Sequence, residues 1–293
     1  MTGTWPLTTD LRRCYDTRGR AVDCAGTGQE GERVRPAASP KPRFHRAGDT
    51  VRDRLTGLVW TRRADLSEFP LSWAEAVDFV ARINADGFAG HRDWRLPGRR
   101  ELFSLVSHAR VNPALPAGHP FTAVFSGYYW TGTPLARLAR QAWSVHLGGG
   151  RLFAGMRHTS YMVWPVRGAA PPAPPAHRWQ AAEGGARDLF TGLIWRPLHT
   201  PADDGATWEE ALAGDGGWRL PGIRELESLV APDRHGPALA PGHPFGEPPE
   251  GVWSATTSVY EPRYAWVLYP RDGAVGVGFK ARPGFGVWLV KDG

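Results

Sequence analysis

The sequence contains one ten-residue string twice, and this duplication constrains the fold more than any other feature. Residues 93–102 read Asp-Trp-Arg-Leu-Pro-Gly-Arg-Arg-Glu-Leu, and residues 217–226 read Gly-Trp-Arg-Leu-Pro-Gly-Ile-Arg-Glu-Leu. Other residues flank both strings at matching spacing: Trp60 and Trp195, Trp73 and Trp208, His119 and His243, Phe121 and Phe245, Trp130 and Trp253, and Trp143 and Trp266. Because the repeat is far longer than a solenoid unit, the sequence predicts two tandem copies of one domain.

The boundaries of the two copies follow from composition. Residues 1–49 carry both cysteines and are otherwise rich in Gly, Pro and Arg, so we predict an extended lead-in. We predict the first domain over residues 50–168 and a second, shortened domain over residues 186–293. Between them, residues 169–185 contain a proline-rich run, which predicts an extended and fairly stiff linker.

Each copy shows the pattern of two helices followed by strands. Ser72 begins a capping-box pattern that Thr207 repeats in the second copy, where the helix is shorter. The repeated string leads into a second helix, for which Gly98 is the expected N-cap. Alternating and aromatic-rich segments follow, with residues 148–150 as a hairpin turn. The pattern predicts an α+β domain with two helices and an antiparallel strand meander.

Charge is distributed unequally between the copies. The whole chain carries a net +6 at pH 7. Residues 51–167 contain 15 Arg and Lys against 8 Asp and Glu, whereas residues 187–293 contain 10 against 14. The first copy is therefore expected to face an anionic partner, since net charge bears on partners rather than on fold. The alternative is that an arginine-rich composition merely places charge on solvated faces.

The two cysteines bear on the cellular compartment. Cys14 and Cys24 close a short loop, which favours a disulfide in an oxidising compartment, and two free thiols are the alternative. No stretch has the roughly 20 apolar residues that span a bilayer. The N-terminal residues lack the basic-then-apolar pattern of a secretion signal. We therefore expect either a cytosolic protein or a chain from which such a signal is missing.

The sequence carries no recognisable catalytic motif. It lacks Gly-x-Ser-x-Gly, His-Glu-x-x-His and a phosphate-cradling loop. The repeated His119 and His243 are expected to cap backbone carbonyls, the matched tryptophans to form the core, and each repeated arginine to brace its glutamate. Asp49, Asp203 and Asp204 are too few carboxylates to predict a calcium site. We predict no metal and no cofactor.

Several motifs in the same order resemble a known bacterial family. They are Cys14 with Asp23-Cys-Ala-Gly-Thr-Gly-Gln, Leu55-Thr-Gly-Leu-Val-Trp, residues 93–102, Pro116-Ala-Gly-His-Pro-Phe and Val163-Trp-Pro-Val-Arg. Together they are similar to the family of unknown function typified by the C-terminal domain of the collagen-like adhesin Lcl. The resemblance implies two tandem domains of the C-type-lectin-like, formylglycine-generating-enzyme type in a secreted, periplasmic or surface protein. The second copy departs from the pattern, with Gly217 where the first copy has aspartate.

The candidate ligand contacts are residues of the meander that differ between the copies, because binding residues concentrate on loops carried by a rigid scaffold. In the first copy these are Tyr128, Arg137, Arg140, Arg151, Phe153, Arg157 and His158. In the second copy they are Tyr260, Arg263, Tyr264, Tyr269 and Lys280. The basic and aromatic first set suits the sulfates or carboxylates of a glycan.

These observations favour a non-enzymatic binding protein whose first domain recognises an anionic glycan or a similar polyanion. The resemblance points the same way, since the adhesin is linked to sulfated polysaccharides. The alternative is a protein-binding or ligand-display scaffold of the lectin-like type. An enzyme related to formylglycine-generating enzymes is disfavoured, because both cysteines lie outside the copies and such oxidation requires a reactive thiolate. No nucleic-acid motif accompanies the positive charge.

Overall fold

The chain folds into two compact units. The computed structural model describes residues 6–33, 40–170, 172–196, 205–214 and 216–293. The first unit is built on Pro36–Pro172, and the second combines Ala173–Gly293 with Leu7–Arg35. Each unit contains one copy of the repeat. The lead-in predicted over residues 1–49 is therefore not a separate segment, because most of it belongs to the second unit.

The N-terminal segment, defined here as residues 7–33, is a short hairpin closed by a disulfide. Strand β1 (Cys14–Tyr15) pairs antiparallel with β2 (Ala21–Val22). Cys14 and Cys24 are joined by a disulfide, the pairing that the sequence favoured over free thiols. A one-turn 3-10 helix over Glu30–Glu32 follows. Cross-linking so short a loop restricts the unfolded chain and holds the hairpin closed.

The first copy contains helices and antiparallel strands, as predicted. In chain order they are β3 (Phe44–Ala47), β4 (Thr50–Asp53), β5 (Val59–Thr61), α1 (Trp73–Ala85), α2 (Arg99–Ser104), β6 (Tyr128–Pro134), β7 (Gln141–His146), β8 (Arg151–Met156) and β9 (Val166–Arg167). Strands β3, β4, β5 and β9 form one antiparallel sheet, and β6, β7 and β8 form the meander. Strand β9 pairs with β5 and therefore lies outside the meander.

The second copy repeats this order. Its elements are β10 (Trp179–Ala182), β11 (Gly185–Asp188), β12 (Ile194–Arg196), α3 (Trp208–Leu212), α4 (Ile223–Ser228), β13 (Val252–Thr257), β14 (Tyr264–Tyr269), β15 (Ala274–Phe279) and β16 (Leu289–Lys291). Strand β10 lies within the linker predicted over residues 169–185, and β3 lies before the predicted start of the first domain. Composition therefore did not reveal the strand that precedes each predicted domain and pairs with its first strand.

Local sequence explains where the helices begin. The Ser72 hydroxyl accepts the backbone N–H of Glu75, and the Glu75 carboxylate accepts the N–H of Ser72 in return. Thr207 and Glu210 repeat this arrangement at α3. The reciprocal bonds satisfy backbone donors that a helix start leaves unpaired. Helix α3 spans 5 residues against 13 in α1, which confirms the predicted shortening.

The repeated string fixes the second helix of each copy. Arg95 donates two hydrogen bonds to the Glu101 carboxylate at 2.5 and 2.6 Å. Arg219 does the same to Glu225 at 2.7 Å. The same carboxylates accept the N–H of the N-cap glycines. Bidentate, charge-assisted bonds of this kind fix orientation as well as distance. The brace predicted from the sequence is confirmed in both copies.

Most of the tryptophans form the core of the two copies. The fully buried ones are Trp60, Trp130, Trp143, Trp164, Trp195, Trp208, Trp253 and Trp288. Trp218 was also expected in the core, but it is half-buried. Arg196 and Lys291 lie over its ring at 5.6 and 4.7 Å from the centroid. The ring therefore serves as a cation-binding surface at the edge of the second copy.

The repeated histidines do not cap backbone carbonyls. The imidazole rings of His119 and His243 lie against Phe121 and Phe245, with centroids 5.8 and 5.9 Å apart. The Nδ1 atoms of both are buried without a hydrogen-bond partner among the described residues. Burial lowers the pKa of both imidazoles. Each histidine thus packs as a neutral ring, and the capping prediction is wrong.

Candidate functional site

Aromatic and basic side chains meet at one end of the first-copy meander. The strand register places Tyr128 opposite His146, and His146 opposite Arg151, so these side chains share one face of the sheet. Tyr161, from the loop after β8, stacks on Tyr128 with ring centroids 4.9 Å apart. The rings of Tyr128 and His146 meet edge to face at 4.7 Å. We call Tyr128, His146, Arg151 and Tyr161 the Tyr128 cluster.

The core holds this cluster in place. The backbone of Tyr161 exchanges two hydrogen bonds with Leu71, at 2.8 and 2.9 Å. The Tyr161 ring also lies 4.4 Å from the ring of the fully buried Trp130. Tyr128 stacks on the outer side and is 36% exposed. A solvent-facing ring on a fixed support is a surface on which a ligand can stack at little cost in side-chain entropy.

Polar groups border the exposed ring. A Cβ atom on Gly148 would lie 2.6 Å from the His146 ring and 3.2 Å from Oδ1 of Asn112, so both side chains approach this glycine closely. Burial, together with the charge of Arg151, lowers the pKa of His146. A neutral imidazole offers one donor and one acceptor. Arg151 is exposed, and its side chain makes no hydrogen bond or ion pair with any described residue.

The second copy lacks this constellation. The backbone bridge between Val252 and Gly286 matches that between Tyr129 and Met162, which fixes the equivalence of positions. Gly251, Tyr269, Ala274 and Phe285 then stand in place of Tyr128, His146, Arg151 and Tyr161. A Cβ atom on Gly251 would lie 2.5 Å from the Phe285 ring, so no larger side chain fits there without a shift. The second copy has neither the exposed ring nor the cation.

The structure divides the predicted first-copy residues into two groups. Tyr128 and Arg151 belong to the Tyr128 cluster, and Phe153 follows Arg151 two residues along β8, opposite Ser144. At the opposite end of the meander lie Arg137, Arg140, Arg157 and His158, next to the pair formed by Gln141 and Met156. Strand β7 separates the two ends by five residue steps, about 17 Å at the usual rise per residue. The predicted basic residues therefore do not form one site.

Lys280 requires a correction among the predicted second-copy residues. Its side chain is fully buried, so it does not face a ligand. The ammonium group donates to the Tyr15 carbonyl at 3.0 Å and to the Thr257 hydroxyl at 2.9 Å. It also lies 4.0 Å from the centroid of the Trp208 ring. Lys280 is therefore an internal anchor for the N-terminal segment.

The other second-copy residues are spread out. Tyr260 is 59% exposed, and Arg263 is exposed but paired with Glu261 at 3.0 Å. Tyr264 and Tyr269 are half-buried, beside Phe279 and Phe285 respectively. The structure does not gather these residues around one point as it gathers the Tyr128 cluster.

Sequence reasoning missed two members of the cluster. The predicted hairpin turn at residues 148–150 pairs His146 with Arg151, so the histidine was recoverable from the register. Tyr161 gave no such signal, because the loop after β8 brings it back beside Tyr128 through long-range packing.

A second concave surface lies within the second unit. An open cleft of about 350 Å³ separates the N-terminal segment from α3 and is lined in part by Tyr15, Asp16, Trp208 and Glu209. The Asp16 carboxylate is already bound by Arg20 at 2.8 Å. In the described part of the chain, no three His, Cys, Asp or Glu side chains are grouped to hold a metal. Asp203 and Asp204 lie outside the described residues.

Comparison with known protein families identifies the family of both copies. The Lcl C-terminal domain matches residues 49–167 and again residues 184–291. The chain belongs to the Lcl C-terminal domain family. The two matches coincide with the two copies, so the Tyr128 cluster lies in the first Lcl C-terminal domain and the cleft beside the second. Comparison with curated proteins finds no match. Over the residues described, none of the helices has the length and apolar character needed to cross a membrane.

Proposed function

We propose that this protein is a non-enzymatic, exported binding protein whose first Lcl C-terminal domain recognises an anionic glycan. The single observation that carries the proposal is the Tyr128 cluster, which combines an exposed stacked ring with an unpaired cation in the first copy. The second copy replaces both with Gly251 and Ala274. The copies thus differ at the two residues, Tyr128 and Arg151, that contact the ligand in this proposal.

The chemistry of the cluster suits a sulfated or carboxylated sugar. The apolar face of a sugar ring stacks on Tyr128, and Arg151 meets a sulfate or carboxylate with two parallel N–H donors. His146 is neutral near pH 7, since its pKa is lowered, and it exchanges hydrogen bonds with sugar hydroxyls. The excess of Arg over Asp and Glu in residues 51–167 attracts a polyanion over a longer range.

Two further parts of the proposal concern fold class and compartment. We assign both domains to the C-type-lectin-like type, in keeping with two helices and an antiparallel meander in each copy. The disulfide between Cys14 and Cys24 supports an oxidising compartment, and hence a secreted, periplasmic or surface location.

Replacing Arg151 with alanine is expected to weaken heparin binding by about tenfold, because a charge-assisted pair is lost. Tyr128→Ala should weaken it several-fold through loss of stacking. The measurement is the dissociation constant of the full-length protein for a heparin oligosaccharide at low salt. The salt concentration at which the protein elutes from a heparin column gives a second readout.

The matched controls lie in the second copy. Tyr260→Ala removes an exposed ring and Arg271→Ala an exposed cation, and both should leave heparin binding unchanged. Passage of the wild-type protein through the heparin column at low salt would refute the glycan proposal.

A protein-display scaffold is the second candidate, and exposed apolar rings favour it. Phe69 and Phe125 of the first copy are 70% and 56% exposed. If a partner protein covers these rings, charge reversal at Arg151 should leave its binding intact, whereas Phe125→Ala should reduce it. The variant that loses binding thus distinguishes the two functions: a change at Arg151 affects glycan binding, and Phe125→Ala affects protein binding.

A further inference from the structure

The N-terminal segment occupies a defined face of the second copy. The Thr256 hydroxyl donates to the Glu30 carboxylate, which also accepts the N–H of Thr9 at 2.8 Å. The ammonium of Lys280 donates to the carbonyls of Tyr15 and Asp16 at 3.0 and 3.4 Å. The segment therefore supplies this face with one carboxylate and two backbone carbonyls.

The first copy has the same face, built from equivalent residues. The Thr133 hydroxyl accepts the N–H of Arg99 at 3.0 Å, as Thr256 accepts that of Ile223 at 2.9 Å. Arg157 lies 4.1 Å from the centroid of the Trp73 ring, as Lys280 lies 4.0 Å from that of Trp208. We define Trp73, Gly132, Thr133, Pro134 and Arg157 as the first-copy docking face.

The first-copy docking face lacks the partners that its counterpart has. The Thr133 hydroxyl donates to no described residue, and the Arg157 guanidinium makes no hydrogen bond within the described part of the chain. Gly132 and Pro134 are exposed, whereas the equivalent Ala255 and Thr257 are fully buried. The first copy thus presents the donors that a peptide segment satisfies in the second copy, without such a segment.

We propose that the first-copy docking face binds an extended acidic peptide segment of another protein. A carboxylate of that segment takes the position of Glu30 against Thr133. Its backbone carbonyls take those of Tyr15 and Asp16 against Arg157. The exposed Arg137, Arg140 and His158 beside the face favour further acidic residues in the segment.

The occupant is not the segment of this chain, because the two faces differ in one donor. In the second copy the Thr257 hydroxyl bonds Gln29 at 3.3 Å and accepts from Lys280. Its counterpart Pro134 offers no hydroxyl. The chain's own segment therefore stays on the second copy and leaves the first face for another protein. This site lies at the end of β7 opposite the Tyr128 cluster and is independent of the glycan proposal.

The test uses the full-length protein, whose second face is already occupied by residues 7–33, and a fluorescent oligoglutamate peptide as the probe. Fluorescence anisotropy should show saturable binding. Thr133→Val and Arg157→Ala should each weaken it about tenfold, because a hydrogen bond to a charged or carbonyl group is lost. An oligoglutamine peptide of the same length, which offers no carboxylate, should bind about tenfold more weakly to the unchanged protein.

Tyr128→Ala is the matched control and should leave peptide binding unaltered, since it acts only on the proposed glycan site. Three results would overturn the proposal. They are absence of binding, binding that is insensitive to Thr133→Val, Arg157→Ala and the peptide change alike, and self-association of the full-length chain that Thr133→Val abolishes. The last result would identify a second copy as the occupant.

Discussion

Replacing Asp188 with alanine is expected to lower the free energy of unfolding of the second unit by about 3–5 kcal/mol. Asp188 is fully buried and accepts two hydrogen bonds from Arg178, at 2.8 and 2.6 Å. It also accepts the N–H of Phe190 and the hydroxyl of Thr191. Alanine leaves the guanidinium of Arg178, itself 2% exposed, as a buried charge without its counter-ion.

Urea denaturation followed by tryptophan fluorescence and far-ultraviolet circular dichroism measures this loss. Asp292→Ala is the control in the same unit, because Asp292 pairs with Arg219 at 2.9 Å but is 66% exposed. Exposed pairs contribute up to about 1 kcal/mol, so this variant should remain close to the wild type. If Asp188→Ala lowers the free energy of unfolding no more than Asp292→Ala does, the buried pair of Asp188 and Arg178 does not stabilise the unit as expected. Asp53→Ala should instead lower the free energy of unfolding of the first unit, because the buried Asp53 is paired there with Arg43.

The free energy of unfolding of the second unit is expected to rise between about pH 7 and pH 10.5. Burial lowers the pKa of Lys280 to about 7, although the charges of Asp16 and Glu209 oppose this shift. Across that interval the unfolded chain keeps the Lys280 proton, whereas the folded unit has released it. The unfolded state then binds more protons, so stability increases with pH by at most about 1.4 kcal/mol per pH unit. Below pH 7 both states are protonated and this contribution is constant.

Lys280→Met should remove this rise, because methionine does not titrate. Lys291→Met is the control, since Lys291 lies over Trp218 but is only half-buried. Urea midpoints measured from pH 6 to pH 10 should thus increase for the wild type and the control. Parallel profiles for the wild type and Lys280→Met would show that Lys280 stays charged in the folded unit.

Much of the fold followed from short-range patterns. The capping boxes at Ser72 and Thr207 and the brace from Arg95 to Glu101 connect residues close in sequence, so they were readable without coordinates. Strands β3 and β10 were not predicted, because they are short edge strands in Gly- and Pro-rich sequence. Composition there resembles a linker, and only pairing with β4 and β11 makes these segments strands.

The candidate site was predicted only in part. Tyr128 and Arg151 were identified because they differ between the copies, and the register of one hairpin unites them. The positive charge of the first copy did not reveal that Arg157 lies at the other end of β7. Lys280 was assigned to a ligand surface because it lies in the meander and differs between the copies, and only the packed structure shows that it is buried, which is rare for lysine.

The sequence by itself determined the duplication, the two helices and the antiparallel meander of each copy and most of the tryptophan core, and it favoured the disulfide. These properties depend on periodicity, capping and matched spacing, which are local or repeated within the chain. Only the tertiary structure decided that residues 7–33 belong to the second copy. The bond between Glu30 and Thr256 joins residues 226 positions apart. Such a contact forms where the packed structure leaves a buried hydrogen-bond donor without a partner. No local sequence pattern shows where those donors lie.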